Sequence, residues 1–188
     1  MSGRTGVLVA VLAGLCACSS SPPSRVYTLS ETAPDTAGAP GVGFVRIDRV
    51  TVPGEIDRPE LVRRTGPNRL EIAGLDRWAA PLDDTIQRVL SDDVARRIPT
   101  PAPGQARAVQ VDIREFYGDG ACNVTLRAVW TVRQLHPDAT PPNMEDIHVP
   151  SGGGPCPATL AATMSTALGQ LSDRIVAGVA RSGPVSEN

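Results

Sequence analysis

Residues 108–135 read AVQVDIREFYGDGACNVTLRAVWTVRQL, and this stretch decides the fold. Two segments, 108–117 and 122–135, flank Gly118-Asp119-Gly120, a turn-forming trio. In the second segment Val124, Leu126, Ala128, Trp130 and Val132 alternate with polar or smaller residues. A two-residue period places alternate side chains on opposite faces of a strand. The stretch is therefore predicted to be a β-hairpin with one strongly apolar side. That side needs a cover.

Two segments supply it. Pro81 suits the first turn of a helix, where its missing N–H costs nothing, and Asp83 and Asp84 suit the positive end of the dipole. Leu82, Ile86, Val89, Leu90 and Val94 then recur at three- and four-residue spacing, with Arg96 and Arg97 at the negative end. Residues 99–104, rich in proline, stop this helix. A second helix is predicted from Pro157 to about Ala180, striped by Leu160, Met164, Leu168, Leu171, Ile175 and Val179. Its rise makes it roughly 35 Å long, enough to cross a sheet. Gln170, Asp173 and Arg174 interrupt it too strongly for a membrane span.

The remaining strands are shorter. Residues 44–52 alternate with β-branched content, and 60–64 and 69–73 flank the turn Thr65-Gly66-Pro67-Asn68. Residues 26–29 and 147–149 are candidate short strands, and 32–43 and Gly152-Gly153-Gly154 are loops. The expected fold is α+β: a mixed, largely antiparallel sheet of five or six strands packed by two long amphipathic helices.

The N-terminus carries a different message. Val7–Ala17 is an apolar run of 11 residues, too short to span a bilayer and fitting a signal peptide. It closes on Leu15-Cys16-Ala17-Cys18-Ser19-Ser20, which reads as a bacterial lipobox. Leu15 lies three before Cys18 and small Ala17 just before it, whereas bulky Leu15 directly precedes Cys16. Cys18 is thus the expected lipidation site and membrane anchor. A plain secretory signal and a short buried helix fit the same run less fully. Ser19 and Ser20 offer no aspartate to retain the product at the inner membrane, so the outer membrane, periplasmic face, is the expected location. The predicted organisation is a signal peptide over 1–17, a lipidated and flexible lead over 18–43, a domain over 44–181 and a disordered tail over 182–188.

All 18 basic residues are arginine; with Arg4 discarded, 17 face 20 acidic residues. A small negative net charge offers nothing to recruit nucleic acid. Cys122 and Cys156 remain as an even pair, and in an oxidising compartment a disulfide is favoured over free thiols or a metal ion. No CxxC exists, and His136 and His148 are scattered. Neither a nucleophile motif nor a phosphate loop is present, so no catalytic, metal or cofactor site is expected. The pairs Asp83-Asp84 and Asp92-Asp93 are placed on the outer face of the first helix, and Trp78 and Trp130 in the core.

Residues 52–64 put a rigid Asp57-Arg58-Pro59 corner between a strand and a hairpin; Pro59 keeps Arg58 out of helical geometry. The chain resembles the ABC-type transport auxiliary lipoprotein family of the PqiC/YmbA type, once classed as a domain of unknown function. The family pattern is met by Val52, Pro53, Ile56, Asp57, Arg58, Pro59, Leu61, Val62, Arg64, Asn68, Leu70, Trp78, Ala79, Pro81, Leu82, Ile86, Val89 and Leu90. The run from Met164 to Ile175 is similar to the family's last helix. Glu55-Ile56, Ala80 and the cysteine pair depart from the pattern. The resemblance implies a non-catalytic partner of an ABC permease/ATPase complex and a mammalian-cell-entry (MCE) protein, moving lipids or other apolar molecules across the envelope. Asp57, Arg58, Arg63 and Arg64 are the candidate partner-binding residues, against the plainer reading of a structural turn in which Arg58 pairs internally. A homo-oligomer is compatible with this role. A scaffold for cell-wall machinery is the alternative.

Overall fold

The computed structural model describes residues 22–32, 42–98, 100–133 and 141–182. The chain runs β1 (Arg25–Tyr27), β2 (Gly43–Thr51), β3 (Glu60–Gly66), β4 (Arg69–Trp78), α1 (Leu82–Arg97), β5 (Ala102–Gly118), β6 (Val124–Arg133), β7 (Asn143–Val149) and α2 (Ala158–Arg181). Seven strands form one sheet in the order β1-β4-β3-β5-β6-β7, with β2 also on β5. The fold is α+β, as expected, and the sheet is mixed. Pairs β3–β4, β5–β6 and β6–β7 are antiparallel; β1–β4, β2–β5 and β3–β5 are parallel.

Strand β5 is the axis of the sheet. One edge pairs with β6 from Ala108 to Gly118. The other edge is shared, because Thr51 of β2 lies beside Asp112 and Arg63 of β3 lies beside Gly118. Residues 52–59 are therefore an excursion between two strands on the same edge. The axis starts earlier than the sequence reading allowed, inside the proline-rich stop after α1. Ala102 there donates its N–H to the Val42 carbonyl at 2.8 Å, and a strand tolerates proline where no ladder donor is needed.

Both helices cover one face: α2 lies across β5, β6 and β7, and α1 against β2 and α2. Every residue of the two predicted helical stripes is buried, as are Val124, Leu126, Ala128, Trp130 and Val132 of β6. Gly178 of α2 lets the helix settle directly on the Trp130 indole, where any Cβ would collide with the ring. The opposite face is open and charged. Arg127 bridges Glu115 at 3.2 Å and Asp146 at 3.1 Å across three strands, the polar surface a one-sided sheet turns to water.

The candidate short strand at 26–29 is present as β1, which pairs with β4, and Leu29 after it is buried. The Ser30 N–H donates to Ser165 Oγ at 3.1 Å and the Thr32 N–H to Asp93 Oδ1 at 2.9 Å. Asp93, placed by sequence on the outer face, is likewise buried with Arg97 in the seam between α1 and α2. Arg97 draws it there: its Nη1 lies 3.5 Å from Asp93 Oδ1, while Nε donates to Asp173 and Nη2 to the Gly169 carbonyl.

Candidate docking site

The excursion over 52–59 is a tight corner pinned from within. Ile56 and Asp57 both donate their N–H groups to the Pro53 carbonyl, at 3.0 and 3.1 Å. Ile56 is buried, so one apolar plug seats the corner while Asp57, Arg58 and Pro59 stay exposed. The Pro59 carbonyl accepts from the Trp78 N–H at 2.7 Å, and the Tyr27 carbonyl from Ala79 at 2.8 Å. Three strands thus converge at the start of α1.

Arg58 Nε donates to Glu60 Oε2 at 3.1 Å, and Arg77 Nη2 to the other oxygen of Glu60 at 2.9 Å. Hydrogen bonds from Arg58, then Arg77, hold the Glu60 carboxyl below its ordinary range. The internal pairing of Arg58 is therefore present. It leaves Arg58 exposed beside Asp57, with Glu60 half-buried between Arg58 and Arg77. Sequence reasoning missed Glu60 and Arg77, although the hairpin brings them opposite one another. A bulge shifts the register between Glu60 and Leu61, so counting outward from the turn does not pair them.

The four predicted residues do not form one surface. Arg63 is half-buried toward the helices, donating to Glu71 at 2.8 Å and reaching to 3.8 Å from the Cys156 sulfur. Arg64 points to the open face, its guanidinium 4.2 Å from the centre of the Tyr117 ring and donating to the phenol oxygen. Successive residues of a strand project oppositely, so only Asp57 and Arg58 share the corner. Burial pushes the Tyr117 phenol up, Glu115 adds to the rise and Arg64 opposes it.

Cys122 and Cys156 have Cα atoms 6.3 Å apart with their sulfurs in contact, inside the span a disulfide bridges. Cys122 sits in the β5–β6 loop at φ 64°, its N–H held by the Asp119 carbonyl at 3.0 Å. The Asp119 side chain caps the same loop, accepting from Ala121, Asn123 N and Asn123 Nδ2 at 2.8, 3.0 and 2.8 Å. Burial raises its carboxyl, yet these bonds outweigh it and the net shift is downward.

Cys18 and His136 lie outside the described residues. His148 is exposed on β7 beside Thr125. Among the described residues no cluster of metal-ligating side chains occurs, and no helix is long and apolar enough to cross a membrane.

A mixed sheet with helices on one face, and a corner of exposed charge inserted between two strands, define a small α+β domain that presents surfaces. The chain belongs to the ABC-type transport auxiliary lipoprotein component family, whose model matches residues 27–176. Two crystal structures share the fold. One, of an uncharacterized protein, has a TM-score of 0.69 at 16% identity, covering 84% of this chain and 99% of its own. The other, a Xanthomonas campestris protein of family DUF330, has a TM-score of 0.60 at 18% identity, covering 85% of this chain and 98% of its own. No curated protein sequence matches the chain.

Proposed function

We propose that this protein is a periplasmic lipoprotein, anchored through Cys18 to the outer membrane, that serves as a non-catalytic docking component of an ABC/MCE-type system moving lipids or other apolar molecules. The observation that carries the reading is the family match over residues 27–176, joined to the way the pattern divides in the fold. Ile56, Leu61, Val62, Trp78, Leu82, Ile86, Val89 and Leu90 are buried and specify the core. Asp57, Arg58 and Pro59 are exposed, and packing alone does not require charge there.

Asp57→Ala and Arg58→Ala are the test. Each is expected to abolish copurification of the MCE protein and permease from solubilised envelopes, with circular dichroism and urea midpoint close to the parent, because exposed pairs contribute about 0–1 kcal/mol to folding. Retained copurification in both variants would remove the corner from the docking role.

The Cys122–Cys156 pair is proposed to be oxidised in the same compartment. It ties the β5–β6 loop to the start of α2. Cys156→Ser is expected to lower stability by roughly 3–4 kcal/mol on the chain-entropy account of a loop this long, measured as a urea midpoint. A parent protein whose midpoint does not change on adding reductant would show free thiols instead.

A further inference from the structure

We infer that the β1–β4 margin of the sheet rests on the lipid bilayer, with Val26, Leu70, Ile72 and Leu75 entering the boundary between headgroups and acyl chains. The inference rests on the reading of Cys18 as the anchor. These four side chains are 63%, 38%, 46% and 39% exposed, and the other large apolar residues this exposed among those described are Phe44 and Met144. Exposed apolar surface thus concentrates on two adjacent strands. Register places Val26 beside Arg77, Ile72 beside Val62 and Leu70 beside Arg64. Directly paired residues project to the same face, so Leu70 and Ile72 share the open face with Arg64 and Val62.

The leash selects the partner. Six residues lie between Cys18 and Arg25, the first residue of β1, and the seven Cα-to-Cα steps span at most about 25 Å when fully extended. A domain of this size is about 40 Å across. The tether therefore keeps Val26, beside Arg77, on the half of the domain nearer the bilayer. Leu70 lies about 20 Å further along β4, so all four side chains reach the bilayer when β4 runs along its surface.

Charge and backbone set the kind of contact. Arg25 is paired with Asp76 at 2.6 Å and Arg77 with Glu60 at 2.9 Å, so apolar insertion, not attraction to anionic lipid, drives it. β1 covers β4 only at residues 76–78. The remaining β4 edge carries backbone groups that must stay hydrated, which limits the patch to a shallow depth.

Full-length acylated protein reconstituted in vesicles with acyl chains brominated near the headgroup provides the test. Tryptophan is introduced at the patch by Ile72→Trp, with Val26→Trp as a second reporter, and at the opposite edge of the sheet by Met144→Trp. The two native tryptophans, Trp78 and Trp130, are buried and supply a constant background. Positions 72 and 26 are expected to lose emission and shift to the blue, equally in neutral and anionic vesicles, while position 144 matches the parent. Protein that floats with the vesicles but is quenched no more at 72 and 26 than at 144 overturns this proposal alone. Protein that does not float overturns the anchor at Cys18 and this proposal with it.

Discussion

Arg97→Met is expected to lower the free energy of unfolding by about 3–5 kcal/mol, the cost of stripping one partner from a buried charge pair. Asp93 is 0% exposed and Arg97 6%, so neither charge is relieved by water. Arg97 gives one nitrogen to Asp173, one to the Gly169 carbonyl and a third to the Asp93 backbone oxygen at 3.1 Å, with the Asp93 carboxylate 3.5 Å away. Methionine matches the stem of arginine and fills the seam, so the loss reports the charge and not a cavity. What remains is a buried carboxylate that keeps the Thr32 N–H but loses the Arg97 charge, and a Gly169 carbonyl that loses its Arg97 donor. Domains of this kind have about 5–15 kcal/mol in total; the urea midpoint should fall steeply with its slope unchanged. The double variant Arg97→Met, Asp93→Leu is expected to recover much of the loss, because apolar replacement of a whole buried pair is often neutral. A double variant no more stable than Arg97→Met would show that the uncompensated charge is not the source.

The same seam shows what a sequence hides. Both helical stripes and the β6 alternation are local periods, and burial follows them residue by residue. Asp93, four residues after Val89, and Arg97, three after Val94, fall on the same stripe, but their charge reads as solvated. An acidic pair on a helix reads as a solvated face, and what buries this one comes from far along the chain: Asp173 and Gly169 of α2, and Thr32 of the N-terminal segment. The shared edge of β5 is hidden for the same reason, because pairing across a sheet leaves no mark at either strand alone. The site was partly legible. The corner at Asp57-Arg58-Pro59 stands where proline and a strand end place it, whereas grouping Arg63 with Arg64 set aside the period of two that turns neighbours to opposite faces. Glu60 and Arg77 required the bulge to be known.

Replacing Cys18 is expected to have the largest effect on where the protein works. Cys18→Ser should abolish incorporation of labelled palmitate and release the secreted domain from the membrane fraction, or leave a longer precursor that keeps residues 1–17. Cys16→Ser should alter neither, since Leu15 directly precedes residue 16 and does not suit the cut. Each acyl methylene buried in a bilayer contributes about 0.8 kcal/mol, so a long diacyl anchor far exceeds anything a protein patch supplies. Full burial of a large apolar side chain is worth about 1.5–3 kcal/mol, and Val26, Leu70, Ile72 and Leu75 are each only part-exposed. Such a patch can orient a tethered domain but cannot hold a free one through repeated washing. The two substitutions therefore separate anchor from contact: where residues 1–17 are removed, loss of Cys18 should empty the membrane fraction while the urea midpoint of the secreted domain stays that of the parent. Palmitate incorporation that survives in Cys18→Ser and vanishes in Cys16→Ser would move the anchor and lengthen the leash by two residues.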